Sequence, residues 1–297
     1  MCGEEAEKFH SRRSVLRGAA TAAVAVGAAV ALPGVAGAAS AQSAQESESS
    51  GHGRHRIPVD KISIQLYSLR TALEADLEGT LSALADIGYR KVELAGTYGR
   101  SAQEFRGLLD KNHIQASSTH VGIDGDLDQT IADAKVLGNT RANVPFAAFD
   151  TIQGWKDFGG RMDAAARAFL KAGIPLGYHN HAHEFAAIDG VLPYDVLRAN
   201  TNKRLVHLEI DLFWAVDGGA DPIEVYRKNF PRTTQYHVKD RTADGQMVDP
   251  GQGVIDFPRI FRATRPNLAE YIVEHDQPAD PLSTARNGFE YLRHLRF

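Results

Sequence analysis

The sequence predicts an α/β protein built as a single (β/α)₈ TIM barrel, and three observations carry that expectation. From Lys61 onward, eight short runs rich in apolar and β-branched residues alternate with longer amphipathic ones, the rhythm of parallel strands returned by outer helices. The first run leads into QLYSLR, which holds no glycine, whereas a doubly wound open sheet usually places a Gly-rich phosphate turn there. Acidic and imidazole side chains recur at the carboxyl ends of the runs, the rim on which barrel active sites are assembled.

The expected strands are ISIQLY (62–67), KVEL (91–94), IQASSTH (114–120), RANVPF (141–146), IPLGYH (174–179), LVHLEID (205–211), TQYHV (234–238) and YIVEH (271–275). Their near-continuous apolar character suits a parallel sheet covered by helices. Between them EGTLSALADIG, SAQEFRGLLDKN, LDQTIADAKVLG and MDAAARAFLKAG carry helical stripes. Three of these four end at glycine, which accepts the left-handed backbone that closes a helix.

Two segments are expected before the barrel. SRRSVLRG (11–18) holds twin arginines and leads into an uncharged Ala/Val-rich stretch that closes on two A-x-A sites, Ala36-Gly37-Ala38 and Ala39-Ser40-Ala41. Weak hydrophobicity, a basic flank and small-residue cleavage sites fit a twin-arginine export signal over 1–41 better than a retained membrane helix. QSAQESESSGHGRHR (42–56) is too polar to bury anything and reads as a flexible linker, leaving 57–297 for the barrel. The expected destination is periplasmic or extracellular, with no membrane attachment once the signal is cut. Cys2, the one cysteine, precedes the twin arginines, so an ordinary apolar core and not a disulfide framework must hold the exported fold. With 33 basic against 37 acidic residues and a formal charge of −4, the chain lacks the basic excess that nucleic-acid binding requires.

Glu93 closes the second run, His120 the third, HNHAHE the fifth, Asp211 the sixth, His237 the seventh and Glu274 the eighth. One such residue alone is more often a loop cap or a buried ion pair. Four consecutive strand ends that each offer a ligand define instead a seat for one divalent cation. The oxygen-rich donor set suits Mn²⁺ first, with Mg²⁺, Co²⁺ or Zn²⁺ also compatible.

YHNHAHEF, LEIDLFWAVDGGADP, YHVKD, GQGVIDF and YIVEHDQP, with QLYSLR at the first strand, resemble in order and spacing the sugar phosphate isomerase/epimerase family of xylose-isomerase-like TIM barrels. The resemblance spans 57–297 and implies a metal held by Glu, Asp, His and Glu from the fifth to eighth strands. Asp211, His237 and Glu274 match that pattern. The fifth position departs from it, reading His179-Asn180-His181. Either His179 becomes the ligand or Glu184 reaches back; Glu184 is the expectation, because a second carboxylate opposite Glu274 neutralises the cation better.

The family chemistry so implied is proton transfer through an enediolate. His181 matches a general acid/base of the dehydratase relatives, with orientation of a ligand as its alternative role. Glu184 and Glu274 complete the expected catalytic set with Lys239, whose ammonium would either face the developing oxyanion or pair with Asp240 or Asp211. Glu93, His120 and His179 are expected to contact sugar hydroxyls, and Trp214 to pack on the site wall or a sugar face.

The expected function is a metal-dependent isomerase or epimerase of a non-phosphorylated sugar or keto-sugar. An exported chain meets few sugar phosphates, and Gly251 and Gly253 offer only a weak phosphate cradle. A β-eliminating lyase or dehydratase acting on a 3-keto-glycoside is the close alternative. A non-catalytic sugar-binding barrel is a third, and a nuclease is disfavoured by the acidic charge. The partner is a small sugar or glycoside, and a homo-oligomer is compatible with the sequence.

Overall fold

The computed structural model describes residues 55–264 and 268–297. The expected signal segment and nearly all of the linker lie outside the described residues. Eight parallel strands form one sheet: β1 (Ile62–Gln65), β2 (Lys91–Leu94), β3 (Gln115–Thr119), β4 (Ala142–Val144), β5 (Leu176–His179), β6 (Val206–Asp211), β7 (Thr233–Val238) and β8 (Glu270–Val273). They lie in the order β3-β2-β1-β8-β7-β6-β5-β4. The end strands meet through a parallel bridge between His120 and Asn143 and a 2.9 Å bond from Val121 N to Asn143 O. The barrel is therefore closed, as its eight-beat sequence predicts.

The connecting helices are α1 (Arg70–Ala75), α2 (Leu77–Ile87), α3 (Ala102–Lys111), α4 (Leu127–Leu137), α5 (Ile152–Lys171), α6 (Pro193–Ala199), α7 (Leu212–Asp217), α8 (Pro222–Asn229), α9 (Phe257–Thr264) and α10 (Pro281–His294). α3 opens on a capping box between Ser101 and Glu104, which satisfies two otherwise orphaned amides. α4 stops at Gly138 in the left-handed conformation. α5 lays Trp155, Phe158, Met162 and Phe169 against the sheet, each burial worth about 1.5–3 kcal/mol.

The strands are buried on both faces, but not in the uniformly apolar way the sequence suggested. Ile62, Ile64, Val92, Tyr236 and Val238 belong to the core shared with the helices. The alternate residues form a polar network across the barrel axis. Ser63 and Ser117 donate to Glu270 Oε2 at 2.8 and 2.9 Å, Gln65 donates to Glu93 Oε2 at 2.8 Å, and Asn143 donates to Glu209 Oε1 at 2.9 Å and Gln235 Oε1 at 3.1 Å. Outer helices draw the apolar residues outward by the strand period of two, and the inward polar groups are tolerated because they satisfy one another.

At the amino-terminal face of the barrel the chain's two described ends are joined. His55 N donates to Phe297 O at 3.1 Å and Phe297 N to His55 O at 3.2 Å. Ile57 and Phe297 are buried there.

Candidate metal centre and active-site rim

β6 carries Glu209 and Asp211 two residues apart, and therefore on the same inward face. Asp211 has two duties. Its Oδ1 accepts the amide of Trp214 at 2.9 Å and so caps α7, a favourable place for a carboxylate. Its Oδ2 is buried and receives no hydrogen bond, although Lys239 Nζ stands 3.0 Å away. Asn180 locks this strand end by accepting Asp211 N at 3.1 Å and donating to Asp211 O at 3.3 Å.

His179, Asp211, His237 and Glu274 each present a ligand atom within 4.8 Å of the others, and all four are buried. Donors that bind one ion at about 2.0–2.4 Å each must lie this close. One level deeper, His120, His179, Glu209 and His237 meet the same condition. Glu209 Oε2 is 3.0 Å from His120 Nε2, 3.2 Å from His179 Nδ1 and 3.1 Å from His237 Nε2. The groups share two histidines, and a neutral imidazole has one lone pair to give. They are alternative seats within one centre. The donor types and their burial fit a divalent cation.

At the fifth-strand corner the atom that groups with Asp211, His237 and Glu274 belongs to His179 and not to Glu184. Glu184 lies in a short 3₁₀ turn, His183–Phe185, which folds its carboxylate beneath the loop. There it accepts Tyr178 Oη at 2.7 Å and His181 N at 2.9 Å. It is fully buried, and burial raises its pKa. Glu184, expected from the sequence as ligand and catalyst, here holds the backbone of His181, and its carboxylate lies outside the cluster of candidate ligands.

Glu93, expected to contact sugar hydroxyls, points into the barrel interior. It is fully buried, bound by Ser118 Oγ at 2.6 Å and 2.7 Å from His237 Nε2. His179, also expected at sugar hydroxyls, is buried too and stands among the candidate metal ligands. His120 retains slight exposure while its Nε2 faces Glu93 at 3.1 Å and Glu209. Burial lowers its pKa, but those carboxylates outweigh burial and raise it to about 10. Lys239 pairs with Asp211, with Glu274 at 2.8 Å and with Asp276 at 2.8 Å, and not with Asp240. Glu274 Oε2 also lies 2.5 Å from His237 Nδ1. Burial disfavours the charge on Glu274, yet Lys239 and His237 hold its pKa below the usual carboxylate range.

His181 stands at the edge of this centre. Its ring lies 5.4 Å from that of Trp214 and 5.4 Å from that of Phe146. Its Nδ1 has no hydrogen-bond partner in the protein. Burial, reinforced by Lys239, keeps the imidazole well below its ordinary pKa, so it is neutral at pH 7. Trp214 packs on the wall, between His181 and the Lys239 ammonium, which is 5.6 Å from the indole centroid.

Glu209, Gln65, Asn143, Gln235 and Tyr178 complete the site without having been singled out in the sequence. Period-two alternation through VHLEID marks Glu209 as facing the same way as Asp211.

The chain belongs to the xylose isomerase-like TIM barrel family, which matches residues 81–295. It is 26% identical over 270 residues to a Geobacillus kaustophilus protein called inosose dehydratase, covering 72% of this chain and 86% of that one. It is 24% identical over 274 residues to the rhizopine catabolism protein MocC of Rhizobium meliloti, covering 75% and 82%. Among solved structures, a sugar phosphate isomerase/epimerase from Parabacteroides distasonis superposes with a TM-score of 0.69 at 25% identity, covering 77% of this chain and 96% of the other.

Proposed function

We propose that this chain is a divalent-metal-dependent isomerase or epimerase of a sugar or keto-sugar that carries no phosphate. The observation that carries the reading is the convergence of His179, Asp211, His237 and Glu274, from four consecutive strands, on one buried centre beside a neutral histidine. A cation held by those four residues would polarise a carbonyl and acidify the neighbouring C–H, with Mn²⁺ the first candidate.

The protein's own groups then divide the work. His181, neutral and with a free Nδ1, takes the proton from the carbon next to the carbonyl and returns it. Glu184 and Tyr178 keep the His181 backbone in place. Lys239 supplies a fixed positive charge for the oxygen that becomes an enediolate, and the aromatic side chains of Trp214 and Phe146 restrict water around the imidazole. The expected twin-arginine leader belongs to the same reading, because outside the cytosol the available sugars are unphosphorylated.

A second reading, β-elimination from a keto-sugar, is favoured by the relative called inosose dehydratase. The same proton abstraction precedes both outcomes. Incubation of the Mn²⁺-loaded protein in D₂O with free keto-sugars and 3-keto-glucosides, followed by mass spectrometry, separates them. Deuterium beside the carbonyl of an intact or epimerised sugar supports the isomerase. Release of water or aglycone with an unsaturated product supports elimination. His181→Ala is expected to slow either reaction by about 10²–10⁴-fold. No exchange and no elimination, with Glu274→Gln indistinguishable from wild type, would remove both readings.

A further inference from the structure

Barrels of this kind seat phosphate groups in the loops after the seventh and eighth strands, on glycine-loop amides and a helix N-terminus. In this chain both positions are filled from within. Asp240, two residues beyond β7 and fully buried, accepts four backbone amides. Its Oδ1 takes Arg241 N at 2.8 Å and Ile255 N at 3.1 Å; its Oδ2 takes Gly251 N at 2.9 Å and Gly253 N at 3.0 Å. The loop is drawn so tightly around this carboxylate that a Cβ on Gly253 would collide with Arg241 O and Asp240 Oδ1.

The helix end is closed in the same way. Asp280 Oδ1 accepts Leu282 N and Ser283 N, each at 3.1 Å, at the start of α10. Asp249 ties loop to helix, accepting Thr284 Oγ1 at 2.6 Å and Asn287 Nδ2 at 2.8 Å. The neighbouring cations are engaged as well: Lys239 with three carboxylates, and Arg241 with Asp217 at 3.4 Å.

We propose that Asp240 is a specificity-determining residue, an internal anion in the seat a substrate phosphate would take, so that the site accepts sugars without a phosphate ester. An incoming phosphate would have to displace a carboxylate that satisfies four amides at once. If it did not, it would approach a buried like charge. The substrate class rests on the sugar reading above; the mechanism of exclusion can be tested without any sugar.

The full chain, with its metal, is melted with and without inorganic phosphate at matched ionic strength, as wild type, Asp240→Gly and Asp240→Asn. Removal of the carboxylate lowers the melting temperature but frees amides for an external anion. Phosphate is therefore expected to raise the Tm of Asp240→Gly by about 2–4 °C more than that of wild type, as a ligand present at a few times its Kd does. Asp240→Asn, which keeps a side-chain acceptor, should respond in the same direction and decides the matter if the glycine variant does not fold. Formate should restore Asp240→Gly alone, which a purely packing role would not produce. Equal phosphate shifts in wild type and variants, or none in either variant, overturn the proposal. Those results leave the sugar reading standing, because that reading fails only in the exchange experiment.

Discussion

Lys239 Nζ stands within 3.0 Å of Asp211, Glu274 and Asp276, so in the metal-free protein one ammonium restrains three carboxylates. Replacing Lys239 with Met leaves them to repel one another in a buried setting. The expected loss is about 3–5 kcal/mol in chelator, measured by urea denaturation. A divalent cation should recover most of that loss and stabilise the variant more than it stabilises wild type. Glu270 presents the opposite case, a carboxyl that accepts the Ser63 and Ser117 hydroxyls, with its pKa raised by burial. The unfolded chain ionises near the ordinary value of about 4.3 and the folded chain at a higher pH. The contribution of Glu270 to stability is therefore complete below the unfolded pKa and falls as pH rises through the folded one. Glu270→Gln is expected to match wild type in acid and to melt higher at neutral pH; a difference independent of pH would contradict this.

β5 shows how an element makes room for a site. Gly177 faces inward between Asn143 and His207, and a Cβ there would overlap Asn143 Oδ1 and His207 Nε2. Gly177→Ala should cost about 1–3 kcal/mol through overpacking, read as a lower midpoint in denaturant. Because the alanine pushes on Asn143, which donates to Glu209, metal affinity should fall with it. The strands themselves were legible from apolar runs, and ends such as Asp211, His237 and Glu274 were legible from chemistry at the carboxyl terminus of each run. Their partners were not. Glu209 and Gln235 follow the alternation, but which inward groups meet depends on register, and register shifts at Val92/Glu93 and Leu208/Glu209. The direction of Glu184 is hidden for a related reason: a three-residue turn and the hydroxyl of Tyr178 decide where it points, and neither is marked by spacing.

The whole molecule was foreseeable as one barrel because eight beats leave little topological choice. Closure between β3 and β4 was not marked by any residue and follows from counting strands. Nor did the sequence distinguish a polar barrel axis from an apolar one. That difference matters for cooperativity, since interior hydrogen bonds link Ser63 on β1 to Glu270 on β8 and Asn143 on β4 to Glu209 on β6. A second long-range link is the pairing of His55 with Phe297. The Phe297 ring also sits 5.7 Å from that of Phe261. Phe297→Ala should cost about 1.5–3 kcal/mol, and melting should remain a single transition if the barrel closes as one unit.

The His55–Phe297 junction lies where β1 begins and α10 ends, at the end of the barrel away from Asp211 and Glu274. A bead, electrode or carrier protein attached ahead of residue 55 would grip the barrel by its base. Immobilised molecules would then share one orientation, with the Asp211 and Glu274 end of the barrel toward the bulk liquid.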